Sequence, residues 1–186
     1  ESDLTSLKQL TSGEFLSAHK DGTIKRWSAK HELLSSTAAH SGRIRGFIET
    51  KESQLLTWTF NPTTRPVMGE AMLWSKDGVF IANLKNHLGY LNGALQLKDL
   101  RLLTWSSDST LRVWNSSGEQ LAILRGHSRS VVGATQLNQG NILSWSLDGT
   151  LRLWSPSGAS LQVLTGHIGP IINAVELNAQ TLLSYS

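Results

Sequence analysis

Three side chains of this sequence would serve acyl-transfer chemistry if they met: His127, Ser144 or Ser146, and Asp148. A hydroxyl beside an imidazole that a carboxylate orients is the arrangement that turns serine into a nucleophile. The set is not unique, however. His87, Ser106, Asp108 and Trp114 stand 40 residues before His127, Ser146, Asp148 and Trp154, and an active site seldom occurs once per structural unit. A buried indole needs one acceptor, and an imidazole accepts at one nitrogen and donates at the other, so the same residues suit the tying of strands. No catalytic residue is expected. Nor is a metal or cofactor site: His40, His87, His127 and His167 are 47, 40 and 40 residues apart, which puts them on separate units that cannot converge on one ion. His19 and His31 read as solvated loop histidines.

These residues belong to a chain of 186 residues with 39% hydrophobic and 17% charged content, the balance of a globular protein. Lys and Arg exceed Asp and Glu by only 17 to 14, a surplus too small to make a phosphate-gripping stripe, so nucleic acid is not an expected partner. No cysteine is present, which removes disulfides and thiolate chemistry and favours a reducing, cytoplasmic setting. No apolar run reaches the roughly 18 residues of a membrane-spanning helix, and residues 1–10 lack the features of a signal peptide, so no membrane association is expected.

The elements that must position the side chains follow from an internal repeat. Segments 87–126 and 127–166 align without a gap, with 18 identical positions. The frame is a His, a Gly-Ala step, then Leu-x-Trp-Ser-x-Asp-x-Thr-Leu-Arg-x-Trp, a Ser-Gly turn, two leucines and Gly. It recurs over 1–39 without its Gly-His start, over 40–86 with a long hairpin insertion at 60–70, and over 167–186 as a half repeat. Within the model copy, residues 131–137, 141–146, 150–154 and 160–165 read as four short strands, with Leu147-Asp148-Gly149 and Ser155-Pro156-Ser157-Gly158 as the reversals. One four-stranded antiparallel sheet cannot bury both faces alone, and radial stacking of such sheets at this period gives an all-β propeller.

Gly126-His127 and Gly166-His167, each leading into this frame, resemble the WD-repeat β-propeller family, and the resemblance spans the chain. It departs in that Ser28, Ser75, Asn115 or Ser155 follows the closing tryptophan, never Asp. The resemblance implies hydrogen-bonded structural tetrads: His87, Ser106, Asp108 and Trp114; His127, Ser146, Asp148 and Trp154; and, in the first copy, Asp21 with Trp27. Between Trp58 and Trp74 the hairpin Asp is lost, so His40 is expected to be poorly anchored and its blade the least rigid of the complete ones. A second aromatic series, Trp58, Trp105, Trp145 and Tyr185, falls inside the second strand of each copy, where packing between blades is favoured over an aromatic ligand cage.

The resemblance also places two loops of every blade on one rim that commonly binds proteins. In this sequence that rim carries Lys20, Arg43, Leu88, Tyr90, Ser107, Arg129, Leu147, Ile168 and Pro170, a mixture suited to an interface. The inserted loop would add Phe60, Val67 and Met68, stiffened by Pro62 and Pro66. A protein-interaction scaffold or sensor module within a larger multidomain protein is the expected function. The alternative, a ligand-binding or enzymatic propeller with a site at the central channel, finds only Glu49, Lys51 and Glu52 in its favour. Four and a half blades leave open edges, so the ring is expected to have seven or eight blades, completed by a missing part of the chain or by a second chain.

Overall fold

The computed structural model describes residues 3–59, 69–178 and 181–186, and every regular element among them is a β-strand. Two compact units result, Glu1–Asn86 and His87–Ser186. In the first, β1 (Leu4–Gln9), β2 (Phe15–His19), β3 (Thr23–Trp27) and β4 (Leu33–Ala38) form one four-stranded sheet in chain order. A second is formed by β5 (Ile44–Glu49), β6 (Leu55–Thr59), β7 (Gly69–Trp74) and β8 (Phe80–His87).

The second unit repeats the plan with β9 (Leu91–Gln96), β10 (Leu102–Ser106), β11 (Leu111–Trp114) and β12 (Gln120–Leu124), then with β13 (Val131–Gln136), β14 (Ile142–Ser146), β15 (Leu151–Trp154) and β16 (Ser160–Leu164). A two-stranded sheet, β17 (Asn173–Asn178) with β18 (Thr181–Tyr185), follows. The strands of the model copy thus start and stop within one residue of their expected limits. The insertion at 60–68, with its Phe60, Pro62, Pro66, Val67 and Met68, lies outside the described residues.

Alternation explains why each sheet needs a neighbour. On β14 both faces are buried along the whole strand, because successive side chains point to opposite sides and each side meets another sheet of the second unit. Leu97, Leu103, Leu111, Val113 and Leu124 of one sheet pack with Val131, Ala134, Ile142 and Trp154 of the next. In the first unit Leu16, Ala18 and Ile24 do so with Ile44, Phe47, Leu55 and Trp74. Each fully buried Leu or Ile contributes about 1.5–3 kcal/mol, which one exposed sheet would forfeit on one face.

The first strand of each complete sheet carries one extra residue. Pairing slips by one at Thr5 in β1, at Arg45 in β5, at Asn92 in β9 and at Val132 in β13, a bulge that leaves a backbone group outside the ladder. The hairpin after β14 closes on Asp148, whose Oδ1 accepts the Thr150 amide at 2.9 Å, with Gly149 at φ +78°, where a side chain would be strained.

Candidate functional site

Antiparallel order carries the candidate residues to one end of each sheet. The turn between the second and third strands and the link into the first strand lie at the same end, so His127, in the link before β13, comes down on the Asp148 hairpin. Its Nδ1 stands 2.9 Å from Asp148 Oδ2, its Nε2 2.9 Å from Ser144 Oγ, and the Trp154 indole donates to that same oxygen at 2.9 Å. The preceding sheet repeats this with His87 Nδ1 to Asp108 Oδ2 at 2.8 Å, Nε2 to Thr104 Oγ1 at 2.9 Å and Trp114 Nε1 to Thr104 Oγ1 at 2.9 Å.

Proton directions follow from the chemistry. A carboxylate only accepts, so Nδ1 carries the ring proton, Nε2 accepts from the hydroxyl, and the hydroxyl oxygen takes the indole N–H. Burial pushes the His87 and His127 imidazoles below the usual histidine range, against the upward pull of Asp108 and Asp148. Burial would raise the Asp148 carboxyl, but the Thr150 hydroxyl, the Ser128 amide and the His127 ring hold it down to about 2. Asp108 is likewise held well below the usual range, by His87 and Thr110 against burial. Ser144 is fully buried and its oxygen is occupied by an indole, so the triad-like geometry offers no route for an acyl group.

The hydroxyl assignment is corrected. Ser106 and Ser146 are not tetrad members; Thr104 and Ser144 are. Trp154 pairs with Ile142 across the sheet, so its indole reaches the residue two positions on, about 7 Å along the strand, whereas Ser146 is four positions on, about 13 Å. Ser146 Oγ instead donates to the Arg129 carbonyl at 3.0 Å and accepts the Asp148 amide at 3.1 Å, and Ser106 accepts the Asp108 amide at 3.1 Å.

Two histidines of the first unit depart from this pattern. His40, as expected from the lost hairpin Asp, is held at one nitrogen only: it is buried, with Nε2 2.8 Å from Thr57 Oγ1, which also accepts the Trp74 indole at 2.9 Å, while its Nδ1 has no hydrogen-bond partner. Glu70 Oε2 stands 3.6 Å from His40 Nδ1, an ion-pair separation too long for a hydrogen bond, and its other oxygen accepts from Asn83 at 2.7 Å. The His40 ring, against the cost of burial, keeps the Glu70 carboxyl below the usual range. His19 is not a solvated loop histidine: it ends β2, is 7% exposed, and has Nε2 3.0 Å from Ser17 Oγ. Two positions apart on a strand, Ser17 and His19 share a face. Ser17 also accepts the Trp27 indole at 2.8 Å, while Asp21 Oδ1 accepts the Thr23 amide at 2.9 Å. His31 sits exposed in a turn at φ +66°. His167 Nε2 lies 2.8 Å from Ser184 Oγ.

The second aromatic series packs between sheets of the second unit. Trp105 donates to the Val132 carbonyl at 3.2 Å, and Trp145 to the Ile172 carbonyl at 3.1 Å; Val132 is the bulged residue of the neighbouring first strand. Another recurring contact was not anticipated from sequence. The Lys98 and Asn138 amides donate to Gln136 Oε1 and Glu176 Oε2 at 2.7 and 2.8 Å, and in the first unit Thr11 donates to both oxygens of Glu49 at 2.9 and 2.8 Å. Each pair is 38 residues apart, so a column of Glu or Gln at the end of each first strand was the available signal. Glu49 is therefore engaged in joining sheets. Among the described residues no three histidine or acidic side chains gather as a metal would need.

The rim residues fall into two kinds. In the first unit Lys20 pairs with Asp3, and the Arg43 carbonyl accepts from Thr59 at 2.8 Å. In the second, Ser107 Oγ accepts the Tyr90 amide at 2.7 Å, which makes it a clamp on the link. Arg129 is exposed, with Nη1 3.4 Å from the carbonyl of half-buried Leu147. Leu88 is 66% exposed, Ile168 fully exposed, and Pro170 exposed.

Comparison with known proteins agrees with this geometry. The model of the WD domain, G-beta repeat, matches residues 118–155. A computationally designed protein, Ika8, matches with a TM-score of 0.80 at 22% identity, over 98% of this chain and 55% of its own. The WD40 beta propeller domain of Doa1 matches with a TM-score of 0.72 at 22% identity, over 97% of this chain and 60% of its own. The chain thus spans little more than half the length of these two structures. No curated protein matches it. The fold is that of a β-propeller, within which residues 118–155 match a WD-type repeat.

Proposed function

We propose that this run of WD-type propeller blades is a protein-interaction scaffold or sensor module of a larger multidomain protein, docking partners on the rim that, in the second unit, the links into β9, β13 and β17 and the hairpins after β10 and β14 form. The observation that carries the reading is the exposure of Leu88 at 66% and Ile168 in full at that end of the second unit. Apolar side chains held out beside an arginine are the composition of interface cores. The tetrads support it indirectly, because they fix the backbone from which the rim side chains project. A cytoplasmic setting is part of the proposal, supported by the lack of cysteine.

Selection of a displayed random-peptide library on the 186-residue chain tests this reading. Enriched peptides should bind at least tenfold more weakly to Leu88→Asp and Ile168→Asp, and unchanged to Leu161→Asp on β16, which is 52% exposed away from the rim. Binding indifferent to both rim substitutions would overturn it.

A further inference from the structure

Charge is distributed unevenly between the two ends of the second unit's sheets. At the end opposite the rim, each charged side chain is engaged. Lys98 Nζ donates to the Leu137 and Asn138 carbonyls at 3.1 and 2.9 Å, and Arg101 pairs with Asp99 at 2.7 Å and donates to the Pro156 carbonyl at 2.6 Å. Glu119 accepts from Asn115 at 2.7 Å and Glu176 from the Asn138 amide at 2.8 Å.

At the rim end the acids are hidden and the cations are not. The Asp108 and Asp148 side chains are only 8% and 6% exposed, each against its histidine. Both carboxylates are saturated with donors: Leu88, Thr110 and His87 on one, Ser128, Thr150 and His127 on the other. Arg125 and Arg129 are exposed on the link between β12 and β13, and neither has an ion-pair partner among the described residues. The sheets on either side of this link carry Leu88 and Ile168, so cationic side chains lie between two exposed apolar ones.

We propose that this surface takes an acidic protein segment, with Asp or Glu carboxylates on Arg125 and Arg129 and an apolar residue against Leu88 or Ile168. The inference rests on the docking reading above and adds the chemistry of the partner. Guanidinium forks match carboxylates bidentately, and with Asp108 and Asp148 hidden, no accessible acid among the described residues of the second unit competes for them at this end. The sign of the rim therefore selects against basic partners as well as for acidic ones.

The probe is a fluorescein-labelled peptide, Gly-Glu-Glu-Leu-Glu-Glu-Phe-Glu-Gly, with the Gln-for-Glu and Lys-for-Glu versions as comparisons, followed by anisotropy with the 186-residue chain. The Glu peptide should bind at least tenfold more tightly than the Gln peptide, and should weaken as salt is raised from 50 to 300 mM, roughly because the screening length shrinks from above 10 Å to below 8 Å. The Arg125→Ala/Arg129→Ala variant should lose at least fivefold, and Arg125→Glu/Arg129→Glu should prefer the Lys peptide, a gain that misfolding cannot produce. Equal binding of Glu and Gln peptides, an unaffected double variant, or binding of a heparin fragment in place of the peptide would overturn the proposal. If the library yields rim-dependent peptides that are not acidic, the charge inference fails and the docking reading stands; if no rim-dependent peptide emerges, the docking reading itself fails.

Discussion

The Trp145 indole occupies the space that a side chain at Gly133 would need: a Cβ built there would lie 2.2 Å from Cζ2 and 2.3 Å from Cε2 of the ring. The two residues face each other across β13 and β14, and the ring continues past the glycine to donate to the Ile172 carbonyl in the next sheet. Gly93 with Trp105 and Gly46 with Trp58 repeat the relationship at 2.3 and 2.4 Å. A pair of residues thus serves as one joint, the glycine making room and the indole bridging.

Gly133→Ala should therefore destabilise the chain by about 1–3 kcal/mol through overpacking, and the same substitution in a Trp145→Ala background should cost much less. Urea denaturation of the four chains in this double-mutant cycle measures the coupling. Equal costs in both backgrounds would show that the ring does not set the need for glycine.

The register of β14 and β15 makes Ser144, not Ser146, the centre of the tetrad. Ser144→Ala leaves the buried Trp154 indole without its acceptor and should cost about 1–3 kcal/mol, more than Ser146→Ala. Ser144→Thr should be tolerated, because Thr104 performs the same task one sheet earlier. A larger loss for Ser146→Ala than for Ser144→Ala would contradict the assignment.

Acid should unfold the chain in two stages. His87 and His127 titrate below 6.5 when folded, so the unfolded chain takes up these protons first and stability falls as pH drops below 6.5. Asp108 and Asp148 titrate below 3.8 when folded, so their contribution, complete above that value, is lost as pH falls towards about 2 at Asp148. Thermal melts at pH 8, 6.5, 5 and 4 should show a midpoint that declines with acidity, with a smaller decline between 6.5 and 5 in His127→Gln. A midpoint that rises on acidification would refute the neutral state of these imidazoles.

How far the sequence could be read depended on what a repeat can encode. His127, Asp148 and Trp154 recur at fixed spacing, so their shared role was legible. The hydroxyl was not, because Thr104 and Ser106 are both Ser or Thr, as are Ser144 and Ser146, and residue type could not choose between two positions on one strand face. His19 was misjudged because it is not the histidine of the repeat frame: it ends β2, on the face it shares with Ser17, whose hydroxyl meets its Nε2. Glu70 was missed because, counted back from Trp74, it stands two positions after the place of the frame's Asp, and only the fold brings it beside His40.

By itself, the sequence determined the number and type of strands, the period of the sheets and the identity of most of the residues that lock them, because these depend on local alternation, turn chemistry and recurrence. The tertiary structure decided which hydroxyl centres each tetrad, which acid serves His40, and which charges remain at the surface. Those outcomes depend on register and on distances of a few ångströms between strands far apart in the chain, and pairing geometry is a property of the sheet, not of any segment within it.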